Sequence, residues 1–178
     1  MPDWLRAAWA TGFVVITAVH LRHTLGMAGR DRWWHAAHTV LAAGMAVMFL
    51  VPRAAASGLY GQGTFVFAAL AVGAAGAVFR WRSDGRAALL WAVSTVDVVI
   101  MAAMCAEPQP WPVVAGYGVA VYLAAVAVAW ALGWWDRVAE SSTRESGSVR
   151  VATATDLSTR VSLAGMAAGM AFMLVAMR

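Results

Sequence analysis

Apolar runs long enough to cross a membrane recur along this chain. Between Arg32 and Arg53 lie 20 residues without an acidic or basic side chain. At about 1.5 Å per residue, a helix of this length covers roughly 30 Å, the thickness of the hydrocarbon core of a bilayer. This run is therefore a transmembrane helix. Similar runs, bounded by Arg, Asp or Glu, predict six spans, at about 4–22, 33–52, 63–80, 87–106, 112–135 and 158–177.

The composition indicates the same class of protein. Hydrophobic residues make up 62% of the chain and charged residues 12%, whereas a soluble domain is about 25% charged. The formal net charge of +4 is compatible with nucleic acid binding, but most arginines flank apolar runs, where they set topology and meet lipid headgroups. We therefore expect no nucleic acid partner. The sequence predicts an all-α, polytopic membrane protein, a single domain over 1–178 with six transmembrane helices in the lipid bilayer.

Arginines indicate the orientation in the membrane. The loops after the first, third and fifth spans are rich in arginine, whereas the opposite side has Arg6, Arg53 and Arg178. The positive-inside rule places the arginine-rich loops in the cytoplasm and both termini outside the plasma membrane. Ser, Thr, Glu and Arg dominate the fifth loop, 136–157, which we expect to be a solvated linker. The third span is expected to begin near Gly63, after the glycine-rich turn SGLYGQG.

All four histidines of the chain fall within 19 residues. They form two HxxH pairs, one on each of the first two spans, and the first loop returns the second pair to about the depth of the first. A spacing of three lets both imidazoles of a pair approach one helix face. Such a cluster could bind copper, zinc or nickel, or supply axial ligands to a haem. His23 and His35 could equally contact lipid headgroups, whereas His20 and His38 lie inside their spans.

Methionine pairs with a spacing of three recur on the second, fourth and sixth spans. The segment AAGMAVM at 42–48 returns as AAGMAFM at 167–173. These spans run in the same direction, so the pairs lie in the outer third of the membrane. Thioether sulfur is a soft, uncharged ligand that selects Cu(I). The candidate metal ligands are therefore four histidines and six methionines: His20, His23, His35, His38, Met45, Met48, Met101, Met104, Met170 and Met173.

Plain packing is the alternative explanation of the methionine stripes, because methionine is a common apolar residue in helices. The GxxxG pair of Gly165 and Gly169 on the sixth span indicates close helix packing. This pair is also the expected contact for a second copy of the chain or for a membrane partner.

Asp97 lies near the middle of the fourth span. A carboxylate at this depth is disfavoured by roughly 2.5 to 3.5 kcal/mol on insertion scales, so an intramembrane acid is by default functional and faces the bundle interior. Met101 follows one helical turn later. Asp97 is therefore a candidate for handling protons between the histidines and the methionines, although a protonated carboxyl that hydrogen-bonds a neighbouring helix is the structural alternative.

The histidines and methionines together resemble a known pattern. The first helix ends in HLRH, and the second reads HxxHxxxxxGMxxM from His35 to Met48. This combination in a short six-span chain resembles membrane-protein families of Actinobacteria that are classified as domains of unknown function. The resemblance implies a six-helix membrane bundle and no established activity.

Three functions remain open from the sequence. The first is a membrane protein that handles a transition metal, with copper favoured. The second is a structural or assembly subunit without metal, in which the methionines and glycines pack against partners. The third is a b-type haem protein or a zinc-dependent intramembrane hydrolase that uses the histidines with Asp97. A binding protein is favoured over an enzyme, because no nucleophile arrangement or phosphate-binding motif is visible.

Overall fold

The chain is an all-helical, multi-pass membrane protein. The computed structural model describes residues 1–106, 112–135, 137 and 156–176, and no strand is found among them. Each of the six long helices is long and apolar enough to cross a bilayer, which confirms the predicted fold class. The helices are α1 (Asp3–Gly26), α2 (Gly29–Leu50), α3 (Ser57–Arg80), α4 (Gly85–Cys105), α5 (Val113–Ala131) and α6 (Leu157–Ala176), with a short 3-10 helix (Arg53–Ala55) before α3.

Two predicted features lie largely outside the described residues. They are the linker predicted at 136–157, of which 138–155 are not described, and the end of the sixth span at Met177 and Arg178. Residues 107–111, between α4 and α5, are also outside.

The predicted start of the third helix near Gly63 is wrong, because α3 begins at Ser57. The SGLYGQG segment forms its first two turns. The Tyr60 hydroxyl donates to the Val51 carbonyl (2.8 Å) and so ties this segment to the end of α2. Gly63 lies against α4, where an added Cβ would be 3.2 Å from Cys105 Sγ. Gly63 therefore allows a close helix contact, which a turn-like composition does not reveal, whereas Gly58 and Gly61 have nothing within 4 Å of an added Cβ.

The helices are arranged as three hairpins around a core of three. Each helix packs mainly on its sequence neighbour, in the pairs α1/α2, α3/α4 and α5/α6, while α2, α4 and α6 also contact one another. About half of the residues along these three inner helices are buried, compared with under a fifth along α1 and α3. The outer helices instead expose apolar side chains, among them Val14, Phe65, Val72 and Val121. This surface fits a lipid environment.

The three inner helices run parallel. Arg30 of α2 hydrogen-bonds Asp84, the N-cap of α4, and Arg53, just after α2, donates to the Ala106 carbonyl at the end of α4. Asp156 at the start of α6 lies beside His23 near the end of α1. The inner helices therefore share one end that holds their N-termini, called here the histidine end, and one that holds their C-termini, called the methionine end.

Glycines set the contacts between outer and inner helices. An added Cβ on Gly169 would lie 2.3 Å from Cζ of Phe13 on α1, and one on Gly44 would lie 2.4 Å from Cζ of Phe67 on α3. Gly165 faces Ile16 of α1 in the same way. The close helix packing expected of Gly165 and Gly169 is therefore made with α1 of the same chain, and contact with a second copy or a membrane partner stays a prediction.

Candidate functional site

The four histidines form one compact cluster between α1 and α2. Nδ1 of His20 and Nδ1 of His35 are 3.0 Å apart, so one of them donates to the other. The ring centroids of His23 and His35 are 4.7 Å apart, and those of His20 and His38 are 5.3 Å apart. His20, His35 and His38 are buried. The structure therefore brings the two HxxH pairs together, and His35 faces the protein interior instead of lipid headgroups.

The hydrogen bonds around His38 leave its second ring nitrogen available. Nδ1 of His38 donates to the Trp34 carbonyl (2.8 Å), which can only accept. In the uncharged imidazole the lone pair is then on Nε2. Ser94 Oγ lies 3.4 Å from Nε2, but that hydroxyl donates to the Leu90 carbonyl at the shorter distance of 2.8 Å. The arrangement is the one that orients a metal-binding histidine, in which a backbone carbonyl fixes the far nitrogen.

His20 also has a ring nitrogen without a partner. Its Nε2 is buried and makes no hydrogen bond with any described residue. A buried polar atom without a partner costs about 1–3 kcal/mol, and such atoms are rare in folded proteins. Nε2 of His38 can therefore donate its lone pair to a metal ion, and Nε2 of His20 can do so in the tautomer in which its Nδ1 donates to His35.

Two inner helices support the cluster from the side. Nε1 of Trp34 donates to Ser94 Oγ of α4 (3.1 Å). On the other side, Thr159 Oγ1 of α6 is 3.5 Å from Nδ1 of His23, and Asp156 Oδ2 is 4.0 Å from Nε2 of the same ring. The histidine end is therefore tied to all three hairpins, although α5 takes no part in these contacts.

A cavity of about 380 Å³ connects the cluster to the histidine end. Its lining is largely apolar but includes five charged or titratable residues, Arg30, Asp31, His35, Arg86 and Asp156. Asp156 lies just before α6, and the Ser158 side chain and backbone N–H donate to it and hold the pKa of its carboxyl below its usual range. A negative charge at this helix N-terminus is favourable.

Asp97 faces the bundle interior, as expected. It is 7% exposed, and its Oδ1 has no hydrogen-bond partner among the described residues. Along α4 it lies one turn after Ser94, which borders the histidines, and one turn before Met101. Asp97 is therefore the acidic group between the histidine cluster and the methionines on the inner helices.

The methionine pairs lie at two levels between α2, α4 and α6. Met45, Met101 and Met170, called here the buried triad, are 0% exposed. Met48, Met104 and Met173, called the outer triad, lie one turn closer to the methionine end and line a cavity of about 320 Å³. The expectation that the three stripes face a common interior is confirmed by this burial and by the mutual contacts of the three helices.

Arginines border the cavity at the methionine end. Arg6 donates to the carbonyl of Phe49 at the end of α2 (3.2 Å), and Arg53 donates to carbonyls at the end of α4 and lies over the Tyr60 ring. From the sequence, these arginines were used only to predict the orientation in the membrane. Arg6 lies inside a predicted span, where a charged side chain needs a partner, and this position indicated that it also has a structural role.

Metal binding stays a prediction. Among the described residues, no group of three His, Cys, Asp or Glu side chains is arranged to hold one ion. Trp34 was also missed in the sequence analysis. Trp34 is buried and lies four residues before His38, a spacing that puts it on the histidine face of α2.

No protein-family model matches the chain, and comparisons with curated proteins and with solved structures give no match.

Proposed function

We propose that this membrane protein handles a transition metal, with copper as the preferred ion. The histidine cluster would bind it at one end of the inner helices and the methionine pairs at the other. The observation that carries the proposal is the buried cluster of His20, His35 and His38, in which Nε2 of His20 has no hydrogen-bond partner among the described residues and Nε2 of His38 has only Ser94 Oγ at 3.4 Å. Imidazole nitrogen and thioether sulfur are both ligands that bind copper.

The arrangement of the inner helices supports a route for the ion. Histidines, the carboxyl of Asp97 and six thioethers follow one another along the core, and a cavity that Arg30, Asp31 and Asp156 help to line adjoins the histidine end. Under the positive-inside rule, Arg30 and Arg86 at that cavity put the histidine end in the cytoplasm and both chain termini outside the plasma membrane. In this role the protein binds the metal ion and transfers it along the core, and it catalyses no reaction.

The test is metal content of protein purified in detergent under reducing conditions with supplied Cu(I). We expect at least one copper per chain, and a loss of copper in the His20→Ala/His38→Ala variant. Thr17→Ala is the matched control, because Thr17 lies one turn before His20 on α1 and its hydroxyl donates to the Phe13 carbonyl of the same helix (2.7 Å). This variant should keep the copper content of the wild type. Helicity and elution volume of each variant show whether it is folded.

Four outcomes would overturn the proposal. Equal copper content in the wild type and the double variant would exclude the histidines as ligands. Bound zinc without copper, together with a hydrolytic activity that Asp97→Asn removes, would favour an intramembrane hydrolase. A Soret band would favour a haem protein, and neither metal nor chromophore would favour a structural subunit.

A further inference from the structure

The cavity at the methionine end brings together one methionine from each inner helix. Met48 comes from α2, Met104 from α4 and Met173 from α6, and all three line a space of about 320 Å³. Each is at most 6% exposed. The three thioethers therefore meet around a cavity in the interior of the bundle and do not face lipid.

The two methionine levels differ in what surrounds them. The buried triad is fully enclosed at 0% exposure, and the Met101 methyl group lies 3.3 Å from where a Cβ on Gly44 would be. Close packing accounts for these side chains. The outer triad instead borders open space, which packing alone would fill. A ligand explains its position better than core packing does.

A fourth soft atom lies beside the outer triad. The Cys105 thiol donates to Met48 Sδ at a sulfur–sulfur distance of 3.8 Å. Cys105 is 3% exposed and forms no disulfide. Thioether and thiol sulfur are soft ligands that prefer monovalent copper and similar ions over hard cations.

The charges around the cavity disfavour a divalent ion. The described residues that line it include Arg6, which also lies 3.9 Å from the exposed Asp3 carboxylate, and Arg53. The repulsion between these guanidinium groups and an ion doubles when the ion carries two charges. The C-termini of the three inner helices converge at this end, and their carbonyl dipoles favour a cation. A singly charged ion held by sulfur is repelled less by the two guanidinium groups than a divalent ion, and the helix dipoles still attract it.

We propose that the outer triad of Met48, Met104 and Met173 forms a binding site for a monovalent soft cation, Cu(I) or Ag(I), that excludes Zn(II). Copper as the natural ion rests on the function proposed above, whereas the sulfur ligands can be tested without it.

The test is titration of the detergent-purified full chain with Ag(I), a redox-inert ion, after the histidine cluster has been removed by His20→Ala/His38→Ala. In this background, replacement of the outer triad by leucine at all three positions keeps the side-chain volume and removes the sulfur. We expect Ag(I) to bind at least tenfold more weakly. Met166→Leu is the matched control, because Met166 is equally buried on α6 but does not line the cavity.

A second measurement does not depend on the variants. In protein with ¹³C-labelled methionine methyl groups, Ag(I) should shift the NMR signals of Met48, Met104 and Met173 far more than that of Met166. Zn(II) should leave them unchanged.

The proposed site would be contradicted if replacement of the outer triad by leucine left the Ag(I) affinity unchanged. It would also be contradicted if the protein bound Zn(II) and this replacement abolished the binding. Neither result bears on copper at the histidines, which the metal content of the His20→Ala/His38→Ala variant tests separately. Conversely, Ag(I) binding that needs the outer triad would stand even if that variant kept all of its copper.

Discussion

The two ends of the inner helices are built in different ways. At the histidine end, the four imidazoles come from one hairpin, α1 and α2, and polar groups border them: the Trp34 carbonyl accepts from His38, and the hydroxyls of Ser94 and Thr159 lie within 3.5 Å of ring nitrogens. At the methionine end, six thioethers come from three different hairpins, and apolar packing holds them. The first site is therefore local in sequence and polar, and the second is assembled over long range and soft.

This difference separates the forces that hold each end. Hydrogen bonds fix which imidazole nitrogen is available, so single polar substitutions should disturb the histidine end. Thioethers are flexible and tolerate substitution, so the methionine end should depend on the helix contacts that bring the three hairpins together. The predictions below test this contrast.

The largest effect is expected at the contact between α1 and α6. Gly169→Val places a branched side chain where Phe13 already lies, and Phe13 stacks between Trp9 and Phe49, with ring centroids 5.9 Å and 5.6 Å away. Overpacking of this kind costs typically 1–3 kcal/mol, and a substitution of this size falls at about 3 kcal/mol. Thermal unfolding in detergent, followed by circular dichroism, measures the loss.

The matched control is Gly12→Val on α1. Gly12 has nothing within 4 Å of an added Cβ, and its helix faces lipid at this position, so the substitution should change stability little. If both variants lost the same stability, the intrinsic effect of valine in a helix would explain the loss, and the long-range contact would not.

Copper removal should have the next largest effect. At a free Cu(I) concentration 100-fold above the dissociation constant, one bound ion stabilises the fold by about 2.7 kcal/mol. A Cu(I) chelator should therefore lower the melting temperature of the wild type. This shift in melting temperature should be smaller in the His20→Ala/His38→Ala variant and in the variant with leucine in place of the outer triad. Each of these variants keeps only one of the two proposed copper sites. A chelator effect that is the same in all three proteins would contradict binding at these sites.

A single hydrogen bond should matter at the histidine end. Ser94→Ala leaves Nε1 of Trp34 buried without its acceptor, and a donor left unpaired in this way costs about 1–3 kcal/mol. Thr95→Ala is the control, because within the described part of the chain the Thr95 hydroxyl bonds only the Trp91 carbonyl of its own helix (2.7 Å). Equal melting temperatures for the two variants would show that the link between α2 and α4 carries no stability.

The sequence predicted each end to a different degree, and the reason is physical. The number of helices follows from apolar length, and the histidine cluster follows from two close HxxH pairs joined by a short loop. The prediction that the methionine stripes face one another was based on their equal depth on parallel helices. That inference depends on the number and direction of all six spans. The role of Gly169 could not be predicted, because a small residue shows only that something packs closely. In the fold that neighbour is Phe13, 156 residues earlier in the chain.

The start of α3 shows the same limit. Glycines at 58, 61 and 63 are typical of a turn in water, but in lipid a helix tolerates them where another helix comes close. Cys105 supplies that contact at Gly63. Local composition therefore gives the boundaries of a transmembrane helix only where a charge or a proline marks them.

The smallest effect is expected from Asp156, which joins the histidine end to α6 from an exposed position. The Ser158 hydroxyl and N–H stabilise its charged form and keep its pKa below the usual value, so the group contributes stability that is fully present above the unfolded-state pKa of about 3.9. This contribution is lost as the pH falls through the lower pKa of the folded state. Asp156→Asn should therefore lower the melting temperature slightly at pH 7, and the difference from the wild type should shrink in acid.

Ser158→Ala tests the cause of this pH dependence, because it removes the hydroxyl donor and keeps the carboxyl group. The difference between Asp156→Asn and its parent should then be smaller at neutral pH in the Ser158→Ala background than in the wild type. High salt should weaken the dipole part of the effect. A difference that stays constant from neutral to acidic pH would assign the role of Asp156 to packing and leave the polar character of the histidine end to Trp34 and Ser94.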